Sequence, residues 1–181
     1  VLIRFNKEIV EALNELGCKA KKITSEKNNI ITVIQENKGL GFVGTPTKIN
    51  KELLTETIKA NEVPVVAPLG LNKDNQTFNI NADTAAGSIA IELKARRLMI
   101  ISDVEGVLDS EKKLIPEINS KKANELIDQE VISGGMIPKI KNCLDVARNG
   151  VKAVVIIDGR KNHSLLFELL SDKGSGTLIR E

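Results

Sequence analysis

Three short stretches of the chain gather polar side chains and glycines in patterns that hold small polar ligands. In Asn79-Ile80-Asn81-Ala82-Asp83-Thr84-Ala85-Ala86-Gly87, amide and carboxylate groups fall at a strand end and on the first turn of a helix. Asn81 is a good N-cap, Asp83 suits the positive end of the helix dipole, and Ala85 to Leu93 reads as helix. A well-capped helix explains the same residues when they are taken alone. In Gly134-Gly135-Met136-Ile137-Pro138-Lys139, a glycine pair runs into a helix whose first turn carries Pro138 and Lys139. Free backbone N–H groups and an ammonium would then converge on one spot, which makes an anion site. A cation in the first turn opposes the helix dipole, so Lys139 gains sense from a phosphate partner, while a loop glycine pair beside a surface lysine is the plainer account. Pro138, near the first helical position, sets where the helix begins and where Lys139 points. The third stretch, Ser102-Asp103-Val104-Glu105-Gly106-Val107-Leu108-Asp109, is an apolar strand running into an acidic, glycine-containing turn. Ligands of open α/β sheets settle outside the carboxyl ends of strands, although a β-turn at Gly106 accounts for these residues too. Asp103 alone at a strand tip is weak ground for a metal.

Other chemistries are excluded by what accompanies these stretches. There is no Walker A loop, and no G-x-G-x-x-G follows a strand. Cys18, Cys143 and the single His163 have no metal-ligand spacing, so no metal site is expected from protein ligands. The 26 basic and 24 acidic residues are interleaved and leave a net charge of +2, which gives nucleic acid no electrostatic footprint. Aromatic residues at 2%, with no Trp or Tyr, supply no base-stacking platform. Val1 to Phe5 is too short for a signal peptide, and no apolar run reaches bilayer-spanning length, so a reduced, cytoplasmic chain is expected. With 41% hydrophobic and 28% charged residues over 181 positions, the chain suits one compact globular core. It opens on a hydrophobic run without a Met, as the interior of a longer chain would.

The elements that position these stretches follow from periodicity and capping. Asn6 predicts an N-cap for a helix from Lys7 to Leu16, with Ile9, Val10, Leu13 and Leu16 as its apolar stripe and Gly17 as its stop. Ile30 to Ile34 and Gly41 to Val43 read as strands, Asn50 caps a helix reaching Ala60, and Val63 to Ala67 is strand-like. Leu98 to Ile101 and Val151 to Ile157 are apolar runs of the kind buried on both faces of a sheet. Helices are expected at Lys121 to Asp128, Ile137 to Arg148 and His163 to Leu170. Strands alternating with amphipathic helices give an α/β fold with a mostly parallel sheet covered on both faces.

Taken in order, the three stretches resemble the amino-acid kinase family, and within it the branch that phosphorylates N-acetyl-L-glutamate. Leu40-Gly41-Phe42-Val43-Gly44, Thr47-Lys48-Ile49-Asn50, the segment from Pro64 to Gly70, Ile156-Ile157-Asp158-Gly159-Arg160 and Gly176-Thr177 extend the likeness over nearly the whole chain. The resemblance implies a three-layer α/β sandwich with a mainly parallel central sheet. It divides the chain into the remainder of an acetylglutamate-binding lobe at 1–80 and a nucleotide-binding lobe at 81–181. ATP with Mg2+ would be the phosphoryl donor in a step of arginine biosynthesis. Lys139 would neutralise charge on the phosphoryl group in flight, Asp83 would organise catalytic lysines, and Asn79 would bind acetylglutamate. Asp103, Val104, Glu105, Gly106, Val107 and Leu108, with Val131, Ile132 and Ser133, would line the nucleotide pocket. Magnesium would be held chiefly by phosphate oxygens and water.

The family's Lys-x-Gly-Gly loop, its His-Gly-Gly-Gly segment and its carboxylate-gripping arginine have no counterpart in these 181 residues. The resemblance therefore implies an amino-terminally incomplete set of catalytic groups and little turnover from this chain alone. His163, Glu168 and Gly174 are similar to the branch inhibited by L-arginine, although a short amphipathic helix explains them as well. In full length such proteins would be homo-oligomers, dimeric or larger. Two alternatives stay open: another member of the family with a different acceptor, and a non-catalytic module that senses nucleotide or arginine.

Overall fold

The computed structural model describes residues 1–181, the side chain of Lys38 aside. The chain divides into two compact units, 1–92 and 93–181. The first unit contains α1 (Leu2–Glu15), β1 (Ala20–Ile23), β2 (Ile31–Gln35), β3 (Gly44–Ile49), α2 (Lys51–Lys59), β4 (Val63–Val66), β5 (Leu69–Leu71), β6 (Thr77–Asn79) and α3 (Ala82–Glu92). β1 and β4 pair in parallel, and the other four strands form a mixed sheet in the order β3-β2-β5-β6. Ile23, Ile31, Val33, Leu54, Phe78 and Ile80 are buried as its core.

Capping sets two of these helices as expected. The Asn50 side chain accepts the Leu53 N–H at the start of α2, and the Asn81 side chain accepts the Thr84 N–H at 3.1 Å at the start of α3. The first helix differs. It begins at Leu2, and Asn6 is buried inside it, donating its side-chain amide to the Val65 carbonyl at 2.8 Å. A tertiary hydrogen bond to β4 therefore takes the residue that local chemistry assigns to a cap. The strand expected at Gly41 to Val43 is displaced onto β3, because Gly41 turns with φ 66° and Val43 makes only an isolated bridge to Asn79. β3 lies at a sheet edge, where Pro46 is tolerated beside a register shift in β2.

The second unit contains β7 (Arg97–Ser102), β8 (Glu117–Ile118), α4 (Ser120–Asp128), α5 (Met136–Arg148), β9 (Ala153–Asp158), α6 (Ser164–Leu170) and β10 (Thr177–Ile179). Its sheet runs β7-β9-β10-β8, with β7 parallel to β9, and with β10 antiparallel to β9 and parallel to β8. Residues Val154 to Ile157 of β9 are fully buried, as the apolar run predicts for a central strand. β7 departs from that expectation at Ile101, which is 59% exposed. It is a sheet-edge strand with β9 as its one neighbour. The register sets Ser102 beside Asp158, so the carboxyl ends of β7 and β9 open together.

Candidate functional site

The loop leaving β7 is held by a buried hydroxyl. Thr177, at the start of β10 and fully buried, accepts the Val107 N–H at 2.8 Å and donates to the Ile115 carbonyl at 2.7 Å. Ile115 N–H in turn donates to the Val107 carbonyl, which closes a small polar circuit. Gly106 sits against it with φ 140°, and a Cβ there would lie 2.5 Å from Thr177 Oγ1. Only glycine fits that approach. Beyond Leu108 the chain turns back as a hairpin, with a bridge from Leu108 to Leu114 and Asp109 Oδ1 accepting the N–H groups of Glu111 and Lys113.

A second segment faces this loop across a cleft of about 310 Å3. α4 ends with the Val131 and Ile132 N–H groups both donating to the Leu126 carbonyl, a reversal that sends Val131 to Ser133 toward the loop. Val104, Gly106, Val107 and Leu108 line one part of the cleft and Val131, Ile132 and Ser133 another. Asp109, Lys112 and Met136 complete it: Asp109 and Met136 belong to the stretches singled out above but not to the expected nucleotide lining, and Lys112 belongs to neither. Asp103 and Glu105 stand outside the lining. The Asp103 carboxylate accepts from the Ser102 hydroxyl, and Glu105 pairs with Lys161 at 2.7 Å.

Charge gathers at the carboxyl ends of β7 and β9. Asp158 is buried and accepts two side-chain N–H groups and the backbone N–H of the exposed Arg160, each at 2.9 Å. The Arg160 side chain, then its backbone N–H, hold the Asp158 carboxyl down at about 2, and Asp158 pushes the Arg160 guanidinium up. Here the chain offers a fixed bidentate pair.

α5 starts at Met136, so Pro138 is its third residue and Lys139 its fourth, half-buried. The Met136 and Ile137 N–H groups bend back to the carbonyls of Ser133 and Gly134, each at 3.2 Å. Fewer amides are therefore turned outward than the glycine pair predicts, and Gly134, with φ 54°, makes the turn itself. Asn79 and Asp83 belong to the first unit. Asn79 ends β6 with its side chain exposed and its N–H donating to the Phe42 carbonyl, and Asp83 is half-buried in the first turn of α3.

The three residues linked to an effector fall in two places. Glu168 and Gly174 line a cavity of about 560 Å3 that also includes Arg97, Lys152 and Arg180. Glu168 accepts the Ser175 N–H at 2.9 Å and lies 3.7 Å from Arg97. His163, left-handed at φ 62°, lines instead an apolar groove of about 370 Å3 with Leu166, Phe167 and Leu170. No group of three or more His, Cys, Asp or Glu is placed to hold a metal ion, and no helix is long and apolar enough to cross a membrane, among the described residues.

Known proteins share this architecture and sequence. The chain is 91% identical over all 181 residues to acetylglutamate kinase of Pelagibacter ubique, and spans 63% of that protein's length. It is 45% identical over 175 residues to acetylglutamate kinase of Ruegeria pomeroyi, covering 97% of this chain and 61% of the relative. A solved structure from Streptococcus mutans UA159 superposes with a TM-score of 0.81 at 30% identity, covering 96% of this chain and 66% of the other. The model of the amino acid kinase family matches residues 1–158, and the chain belongs to that family.

Proposed function

We propose that the second unit binds ATP and that the chain serves, as a portion of an acetylglutamate kinase working in the cytoplasm, in phosphorylating the side-chain carboxylate of N-acetyl-L-glutamate. The observation that carries this reading is the cleft beside β7, where two segments apart in sequence, 106–109 and 131–133, meet around a space of nucleoside size with both apolar and polar lining. Relatives bearing that name support the choice of acceptor. In the reaction a substrate carboxylate oxygen attacks the γ-phosphorus of ATP, the bond to the β-phosphate oxygen breaks, and an acyl phosphate and ADP result. Lys139 offsets the negative charge spread over the transferring oxygens. Asp83 serves as a further catalytic group, and Asn79 donates its side-chain amide to acetylglutamate. Mg2+, when bound, would offset the negative charge of the phosphates and would be held chiefly by phosphate oxygens and water.

Titration calorimetry of the chain with MgADP, then with acceptors, tests the reading. Saturable ADP binding is expected, lost in Val107→Asp, together with binding of N-acetyl-L-glutamate in preference to aspartate, glutamate or uridylate. An ADP signal unaffected by Val107→Asp would show that the cleft is not the nucleotide site. A sensing role is favoured by a separate observation, the charged cavity holding Glu168 and Gly174. L-arginine there would displace Arg97 from Glu168, and heat from arginine abolished by Glu168→Gln would support it.

A further inference from the structure

We propose that Lys112 is a nucleotide-binding residue, its ammonium giving the cleft beside Val107 and Ile132 a cationic contact for the phosphate-bearing end of a purine nucleotide. The proposal rests on the nucleotide reading of that cleft and extends it to a part of the chain that the family resemblance does not bring in.

Lys112 occupies a position whose local chemistry asks for something else. The loop from Asp109 to Lys113 closes through Asp109 N–H to the Lys113 carbonyl and Lys112 N–H to the Asp109 carbonyl. This is a three-residue hairpin whose last loop position is left-handed, the place where glycine or asparagine is the ordinary occupant. Lys112 has φ 62° there, and its Cβ carries a steric cost that glycine avoids. Lys94 and Glu130 share the left-handed region, but each follows the end of a helix, where such a residue is the common stop, and neither lines the cleft.

Charge supplies the second strand of the argument. Lys112 makes no ion pair among the described residues, whereas its neighbour Lys113 is held by Glu111 at 2.6 Å. Polar and apolar surface share the cleft, and of Asp109, its one acid, Oδ1 is already engaged by two backbone N–H groups. An exposed ammonium lining this cleft attracts an anion lodged there, the cleft's one acid having an oxygen already engaged by backbone N–H groups. A left-handed lysine lining a nucleotide-sized cleft, with no ion pair among the described residues, is accounted for by that ligand.

The test compares the wild type with Lys112→Gly and Lys112→Arg by calorimetry, using MgADP and adenosine as probes. Lys112→Gly is expected to melt at a higher temperature without ligand, because the backbone strain is relieved. It should bind ADP about 2- to 5-fold more weakly, as for an exposed charge pair, with a shallower salt dependence and unchanged adenosine affinity. Lys112→Arg should keep the wild-type preference for ADP. Equal ADP affinity in wild type and Lys112→Gly overturns the proposal and leaves the nucleotide reading standing. A parallel loss of ADP and adenosine affinity also overturns it, since it would mark a packing role. If the wild type shows no saturable ADP binding, the nucleotide reading and this proposal fall together.

Discussion

Asp158 shows how a single buried carboxylate is made to stay charged. It is shielded from water, which alone would favour the neutral acid, yet the Arg160 guanidinium and backbone N–H hold its carboxyl at about 2, below the ordinary 3.8. The folded protein therefore binds fewer protons at this site than the unfolded chain does between those values. The pair stabilises the fold fully above the unfolded value, and that contribution is lost as pH falls from about 3.8 through about 2. In Asp158→Asn this acid-range slope should be reduced, and denaturant titrations from pH 4 to pH 2 compare the two directly. Equal slopes in both proteins would mean that the pair does not persist in solution. The consequence is local to the strand end, because Arg160 also feels Asp103 and Glu105, the two acids that leave β7.

At the scale of elements, β10 does more than complete a sheet. Its three residues bond to β9 and β8, and Thr177 reaches out of the ladder to fix both Val107 and Ile115. Thr177→Val keeps the shape and removes both bonds, leaving the Val107 N–H and Ile115 carbonyl unsatisfied. It should cost about 1–3 kcal/mol and speed amide exchange at Val107 and Ile115 before it affects β7. Unchanged protection there would show that the loop is held by packing alone. None of this is legible in the sequence, because β10 and β8 are too short to carry a period and Thr177 acts across 70 positions. The opposite holds where the determinant is local: Asn50 and Asn81 cap as read, and the apolar run of β9 is buried as read. Between these extremes lies Asn6, whose residue type signals a helix start but whose partner is a strand carbonyl 59 positions away. The cleft divides the same way. Its two main segments carry recognisable apolar and glycine patterns, while Lys112 enters only because a hairpin brings it alongside.

At the scale of the whole molecule, the division into 1–92 and 93–181 gives nucleotide binding a readable signature. Each unit has its own buried set, Ile23, Ile31, Val33 and Leu54 in one and Ile140, Val154, Ile156 and Ile179 in the other. A ligand that binds only the folded second unit stabilises it by mass action, about 2.7 kcal/mol at a concentration 100 times the dissociation constant. Every amide that exchanges only when that unit opens should then slow by about 100-fold. Saturating MgADP should therefore protect the β9 amides strongly while leaving those of β2 and β5 near their unliganded rates. Hydrogen exchange followed by mass spectrometry resolves the two sets in one experiment. Equal protection of β2 and β9 would mean that the units open as one cooperative body, and protection confined to β2 would place the nucleotide in the first unit and remove the basis for the cleft beside β7. The same measurement on Lys112→Gly and Thr177→Val separates a lost contact from a loosened scaffold: the first lowers protection only when ADP is present, and the second lowers it in both states.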